Sequence, residues 1–231
     1  DIDLFVICEK EIPPIQVRKN SYEQQGASQI VMGKSHDNWE TSWTPINDEL
    51  VLNAKKIEIG YNTSEWVEEV VTEIVTEGNI TLPHFQFRPY TFLALLENSI
   101  CLFDKDSFLT HLRKNIRPYP AKLKTAIIMA NLPIFNESLV ELEDFSQRNI
   151  GLLAFQFMLF RALDAAIQII FAINEVYYPA SKREEKHLLR LAKLPASLNG
   201  LILDLLPIFY TKQNEIIDCL KDIKLFIGGQ A

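Results

Sequence analysis

Asp1-Ile2-Asp3-Leu4-Phe5-Val6-Ile7-Cys8 opens the chain with two carboxylates in an otherwise apolar run. Side chains on a strand alternate between its faces, so Asp1 and Asp3 share one side while Ile2, Leu4 and Val6 take the other. Neighbouring carboxylates repel, and a strand this hydrophobic has no packing use for them. A divalent cation resolves that conflict; the bland alternative is a frayed strand end with two solvated aspartates. A second stretch, Lys55-Lys56-Ile57-Glu58-Ile59-Gly60-Tyr61, alternates in the same way and sets Glu58 between two isoleucines, which predicts another strand. Asp-x-Asp on one strand with a third carboxylate on an adjacent strand makes an oxygen-rich site for Mg²⁺, a hard ion that keeps positions open for water and substrate phosphates. Taken alone, Glu58 is more simply a half-exposed strand residue.

Asp1-Ile2-Asp3-Leu4 followed by Lys56-Ile57-Glu58-Ile59 resembles the nucleotidyltransferases of the DNA polymerase beta superfamily. It is most similar to small bacterial members that include the aminoglycoside nucleotidyltransferases. Ile100-Cys101-Leu102-Phe103-Asp104 and Ile173-Asn174-Glu175-Val176-Tyr177-Tyr178-Pro179-Ala180-Ser181-Lys182 resemble bacterial members with a helical C-terminal domain, whereas residues 9 to 54 match poorly.

The resemblance implies an α+β fold: an N-terminal nucleotidyltransferase-like mixed sheet with helices, followed by a C-terminal helical bundle. It implies transfer of an NMP (AMP from ATP) to a hydroxyl of a small-molecule acceptor, with release of pyrophosphate. Asp1, Asp3 and Glu58 are then the catalytic and metal-binding residues, Mg²⁺ or Mn²⁺ is the cofactor, and the NTP is the co-substrate. Glu58 completes the second metal site or takes the proton of the acceptor hydroxyl. In that family a Gly-Ser pair shortly before the Asp-x-Asp grips the phosphates. This chain starts at the first Asp, with no Met, so that element is expected upstream or has been lost. The alternatives are a catalytically silent nucleotide- or partner-binding module on the same scaffold, and a toxin–antitoxin-type transferase acting on protein or RNA.

With 231 residues, the chain suffices for one large domain or two small ones. Hydrophobic residues make up 48% and charged residues 23%, ordinary values for a soluble globular protein. A formal charge of −7 argues against a dedicated nucleic-acid binder, which carries a basic footprint. The same balance suits a cationic acceptor, or an NTP bound through metal. Cys8, Cys101 and Cys219 each lie in an apolar run and read as buried free thiols in a reducing cytosol, rather than as disulfides or a zinc site. His36, His84, His111 and His187 have no metal-ligand spacing. The apolar run from 150 to 173 is interrupted by Gln156, Arg161, Asp164 and Gln168, too polar for a lipid-facing span, so no membrane and a cytoplasmic setting are expected.

The pattern reads as α/β to about residue 103 and as helical beyond it, which sets domains at 1–115 and 116–231. Residues 9 to 47, with Pro13-Pro14, Trp39 and Trp43, are poorly patterned; so long a connection is functional or holds short unresolved elements. Gly33-Lys34-Ser35 matches the end of a phosphate-binding loop, but the nearest upstream glycine is Gly26, too far away for the motif, which is therefore rejected. Thr63 or Ser64 caps a helix to about Thr76, with Gly78 beyond its end and Trp66, Val67, Val70, Val71, Ile74 and Val75 as its buried stripe. A further helix is expected from Tyr90 to Glu97, then a short buried strand from Ser99 to Phe103. Helical segments follow near 105–115, 119–131, 137–178, 182–194, 198–211 and 213–227, separated by Pro118, Pro120, Pro133, Pro179 and Pro195.

On the long helix of the second half, Arg161, Asp164 and Gln168 share one face. They read as a buried Arg161–Asp164 pair that registers the bundle, or as a polar stripe lining an interdomain cleft. Asn174, Tyr178 and Lys182 lie at and beyond this helix's end, and the resemblance tips them towards the nucleotide: Lys182 against triphosphate charge, Tyr178 stacked on a base. The other reading is a capped helix end with solvated charges. The site is expected where the bundle closes over the carboxylate strands.

Overall fold

The computed structural model describes residues 1–33, 46–82, 88–148 and 151–230. Lys34, Ser35, His36, Trp39, Trp43 and His84 lie outside them. The chain divides into two compact units, Asp1–Phe92 with Cys101–Ile116, and Leu93–Ile100 with Arg117–Ala231.

In the first unit, β1 (Ile2–Cys8), α1 (Ile15–Gln24), β2 (Ser28–Val31), β3 (Ile46–Leu52) and β4 (Lys55–Thr63) follow in order. The strands form a mixed sheet, β1-β4-β3-β2, so the α+β expectation holds. β1 runs parallel to β4, and β3 runs antiparallel to both β4 and β2. Asn53 and Ala54 close the β3–β4 hairpin with positive φ at both residues, 50° and 61°. That is the two-residue pattern whose twist matches the flanking strands, and it fixes which residues of β3 and β4 stand opposite each other.

Alternation then sorts the sheet. Leu50, Ile57, Ile59 and Tyr61 form a buried cluster with Leu4, Val6, Cys8, Ile46 and Leu52 from the strands and Tyr22 from α1. Each fully buried aliphatic side chain of this kind contributes about 1.5–3 kcal/mol. The opposite face carries Asp3, Phe5, Glu58 and Gly60. There the Phe5 ring meets Phe92 edge-on at 5.7 Å, and Phe92 in turn meets Trp66 of α2 (Ser64–Thr76) at 5.4 Å. The Thr63 hydroxyl accepts from the Trp66 N–H at 3.3 Å and caps α2, whose Val67, Val70, Val71 and Ile74 are buried. Gly78 takes φ +69° just past its end, a conformation open to glycine at no steric cost. Helix α3 (Thr91–Asn98) follows, then α4 (Phe108–Asn115).

The strand expected at Ser99–Phe103 is a correction. Ile100, Leu102 and Phe103 are 87%, 79% and 83% exposed in a loop, and Cys101 is an exposed thiol rather than a buried one. The reason is the residue that ends the run. The Asp104 carboxylate accepts from the N–H groups of Leu109 and Thr110, at 2.8 and 3.1 Å, and from the Thr110 hydroxyl at 2.7 Å. The segment is therefore a helix entry, not a ladder partner.

The second unit is helical: α5 (Ala121–Arg148), α6 (Leu152–Ile173), α7 (Glu184–Leu188), α8 (Leu198–Gly200) continuing through Leu201–Leu205 and Leu206–Thr211 in other helical geometries, and α9 (Gln213–Gly228). Two expected boundaries move. α5 runs straight through Pro133, which is exposed. Its missing N–H leaves the Met129 carbonyl without a helix partner on a side where water can serve, so the helix tolerates it. The single helix expected at 137–178 is instead interrupted at Gly151, the non-helical residue that caps the start of α6. The 182–194 helix shrinks to a 3₁₀ turn, Ser181–Arg183, plus the short α7.

α6 packs along α5, and α9 packs against both. From Ala165 to Ile173 every residue of α6 is buried. This helix is long and apolar enough to cross a membrane, but 67% of its most apolar window is buried inside the protein, as in a core helix. Arg161 does not make a buried pair with Asp164: its guanidinium bonds Glu137 of α5 at 2.8 Å, both partly exposed, and Asp164 is exposed. Gln168 is buried.

Candidate active site

The parallel pairing of β1 with β4 sets Asp3 directly beside Glu58. Side chains paired in this way project from the same face, and both are accessible there, Asp3 exposed and Glu58 34% exposed. The antiparallel pairing of β3 with β4 places Glu49 opposite Glu58 on its other side. Asp3, Glu58 and Glu49 therefore form one row across three strands. Lys56, two residues before Glu58 and so on the same face, puts its ammonium 2.6 Å from Glu58 Oε1 and 3.0 Å from Glu49 Oε2. These two carboxylates, Glu58 first, hold the Lys56 ammonium above its usual pKa.

The two strands expected to be adjacent do pair, so Asp3 and Glu58 are neighbours. Asp1 precedes β1 and is exposed. Among the described residues no three His, Cys, Asp or Glu side chains are gathered to hold a metal ion. Glu49 and Lys56 were missed as partners. Glu49 follows Asp48 in a segment with no clean alternation, and Lys56 reads as an ordinary strand lysine until the register is known.

The opposite face of β3 carries a buried polar network. Asp48, fully buried, receives Arg18 Nε at 2.7 Å, the Tyr22 hydroxyl at 2.9 Å and the Gly33 N–H at 2.8 Å. Arg18 also donates to the Pro13 carbonyl at 2.5 Å and lies 5.3 Å over the Tyr61 ring, while Tyr22 bonds the Tyr61 hydroxyl. A Cβ on Gly33 would stand 2.0 Å from the Asn47 carbonyl oxygen, so only glycine lets the chain pass β3 so closely. The network ties α1 and the Gly33 segment to β3, the strand whose outer face presents Glu49.

In the second unit, the Asn174 side chain is spent on backbone. It donates to the carbonyls of Ile170 and Lys193, each at 2.8 Å, and accepts from the Lys193 N–H at 2.7 Å. It stitches the end of α6 to a later segment. The Tyr178 ring is 5% exposed and meets Phe171 edge-on, and its hydroxyl donates to Glu184 at 2.5 Å. Lys182 is exposed. Glu175 takes φ 57° and pairs with Lys124 at 2.9 Å, which holds its carboxyl below the usual range. A groove of about 290 Å³ between α2 and α4 is lined by Glu68, Thr72, His111 and Asn115 among others, and none of the candidate residues borders it.

Residues 86–183 match a family described as "Domain of unknown function (DUF4037)", less than half of the chain. A nucleotidyltransferase-like protein from Exiguobacterium sibiricum 255-15 is similar in structure over 93% of this chain and 74% of its own, with a TM-score of 0.46 and 10% sequence identity. No curated protein matches the chain.

Proposed function

We propose that the chain is a metal-dependent nucleotidyltransferase that moves AMP from ATP to a hydroxyl of a small acceptor and releases pyrophosphate. The observation that carries this reading is the pairing of Asp3 with Glu58 on one accessible sheet face. No packing demand explains two carboxylates side by side there. The donor set fits Mg²⁺ or Mn²⁺ arriving with its nucleotide, because such ions are commonly held by one or two carboxylates together with substrate phosphates. When bound, the ion offsets the anionic charge that builds on the phosphoryl oxygens.

Asp3 and Glu58 would hold the triphosphate-borne ion, with Asp1 just ahead of the strand. Glu58 takes the proton of the acceptor hydroxyl, a role that typically contributes about 10²–10⁴-fold. The hydroxyl oxygen forms its bond to the α-phosphorus as the bond to the pyrophosphate oxygen breaks. Lys182, an exposed cation, is a candidate for nucleotide phosphate charge; Asn174 and Tyr178 act in this reading by holding the end of α6. A cytoplasmic setting, where thiols stay reduced, suits the three free cysteines.

One observation favours a second reading. Lys56 already occupies Glu58, as it would in a catalytically silent scaffold that binds nucleotide without turnover. Pyrophosphate release, measured with Mg²⁺ or Mn²⁺ and each of four NTPs against hydroxylated acceptors, separates the two. Turnover that Asp3→Ala lowers by at least about 100-fold with the fold intact, and that Glu58→Gln also slows, is the expected result. Turnover retained in Asp3→Ala rejects the assignment.

A further inference from the structure

We propose that Lys56 is the resident counter-ion of the carboxylate row, and that it makes the row select a nucleotide-borne divalent cation over a bare one. The inference rests on the nucleotidyl-transfer reading of Asp3 and Glu58. Three carboxylates level with one another across β1, β4 and β3 repel, and Lys56 lies between two of them, 2.6 Å from Glu58 and 3.0 Å from Glu49. An ammonium and a divalent cation cannot share one carboxylate oxygen without strong like-charge repulsion. A cation that engages Glu58 must therefore draw Glu58 away from Lys56.

Glu49 makes that exchange possible. It gives Nζ a second partner on the same face, so the lysine can release Glu58 and remain paired. The Asn53-Ala54 turn holds Glu49 opposite Glu58. Partial exposure keeps the exchange easy: Lys56, Glu49 and Glu58 are 50%, 42% and 34% exposed, a setting in which an ion pair binds weakly. A bare divalent cation meets the ammonium's repulsion in full. A cation carrying a triphosphate brings excess negative charge, and the displaced ammonium then attracts the incoming complex.

The test is Mn²⁺ binding to the intact chain, read from the electron paramagnetic resonance of free Mn²⁺ with and without ATP. The proteins compared are wild type, Lys56→Gln, Lys55→Gln and Asp3→Asn. Lys55→Gln removes the same charge from the adjacent residue, whose side chain projects from the other side of β4. Lys56→Gln is expected to bind bare Mn²⁺ about threefold or more tighter than wild type, with Mn²⁺–ATP affinity unchanged or lower, and Lys55→Gln within about twofold of wild type. Equal effects of the two lysine variants, or no effect of Lys56→Gln, overturn the proposal. If Asp3→Asn abolishes Mn²⁺ binding in that case, the carboxylate reading stands and only the lysine's role falls. If Asp3→Asn binds Mn²⁺ as wild type does, the carboxylate reading itself fails.

Discussion

Asp48 shows how much a single residue organises here. Its fully buried carboxylate joins Arg18, Tyr22 and the Gly33 N–H. Removing one partner strands the other charge away from water, which costs about 3–5 kcal/mol. Asp48→Ala and Arg18→Met should each destabilise by that amount in urea unfolding, and the double variant by clearly less than the sum; strict additivity would show that the two do not depend on each other. Burial, together with hydrogen bonds to Tyr61 and Asp48, pushes the Tyr22 phenol well above its usual range, so its hydroxyl keeps the proton it donates to Asp48. Asp104 is the surface counterpart. Its bonds to Thr110 and Leu109 hold its carboxyl below the usual value. A pKa lower in the folded state means a stabilising contribution that is present above about pH 4 and is lost as pH falls through the folded value. The stability difference between wild type and Asp104→Asn should therefore shrink on acidification through that range; a difference that stays constant with pH contradicts the capping role. The Asp48 network was not legible in sequence, because an Arg–Asp contact thirty positions apart leaves no periodic trace.

Elements were legible where packing is apolar and illegible where it is polar. β1, β4 and α2 bury hydrophobic residues at the spacing of their own geometry and were read correctly. α1 buries only Arg18 and leaves Ile15 and Val17 at 44% and 57% exposure, so no helical stripe announces it. β3 alternates Ile46, Leu50 and Leu52 inward, but Asp48 fills the fourth inward place and breaks the pattern. Its turn is Asn53-Ala54 rather than the familiar Asn-Gly, which hid the hairpin. Ala54 holds φ 61°, a conformation that costs a residue with a Cβ about 1 kcal/mol. Ala54→Gly should raise the urea midpoint by the equivalent of about 0.5–1 kcal/mol and leave the Glu49–Glu58 register unchanged. A loss of stability would mean that the turn is not strained as described. In the second unit the same logic explains Pro133, a break by local rules that α5 absorbs on its solvent side.

At the scale of the whole molecule, composition narrowed the chemistry and topology supplied what composition could not. A net charge of −7 turned the reading from polynucleotides towards small cationic acceptors or metal-borne nucleotides. The spacing of Asp-x-Asp and Glu58 suggested convergence, yet only the parallel pairing of the first and last strands of the sheet unit brings Asp3 and Glu58 level. Asp1 gained no such partner from the fold, and the second unit gives Asn174 and Tyr178 structural work instead of a free face. The account therefore rests on two carboxylates serving one cation. Mn²⁺–ATP affinity measured for wild type, Asp3→Asn, Glu58→Gln and the double variant tests this most directly. If both groups hold the same ion, the double variant loses less than the sum of the single losses, with a coupling of about 0.5 kcal/mol or more. Independent, additive losses, or no loss at all, would contradict it.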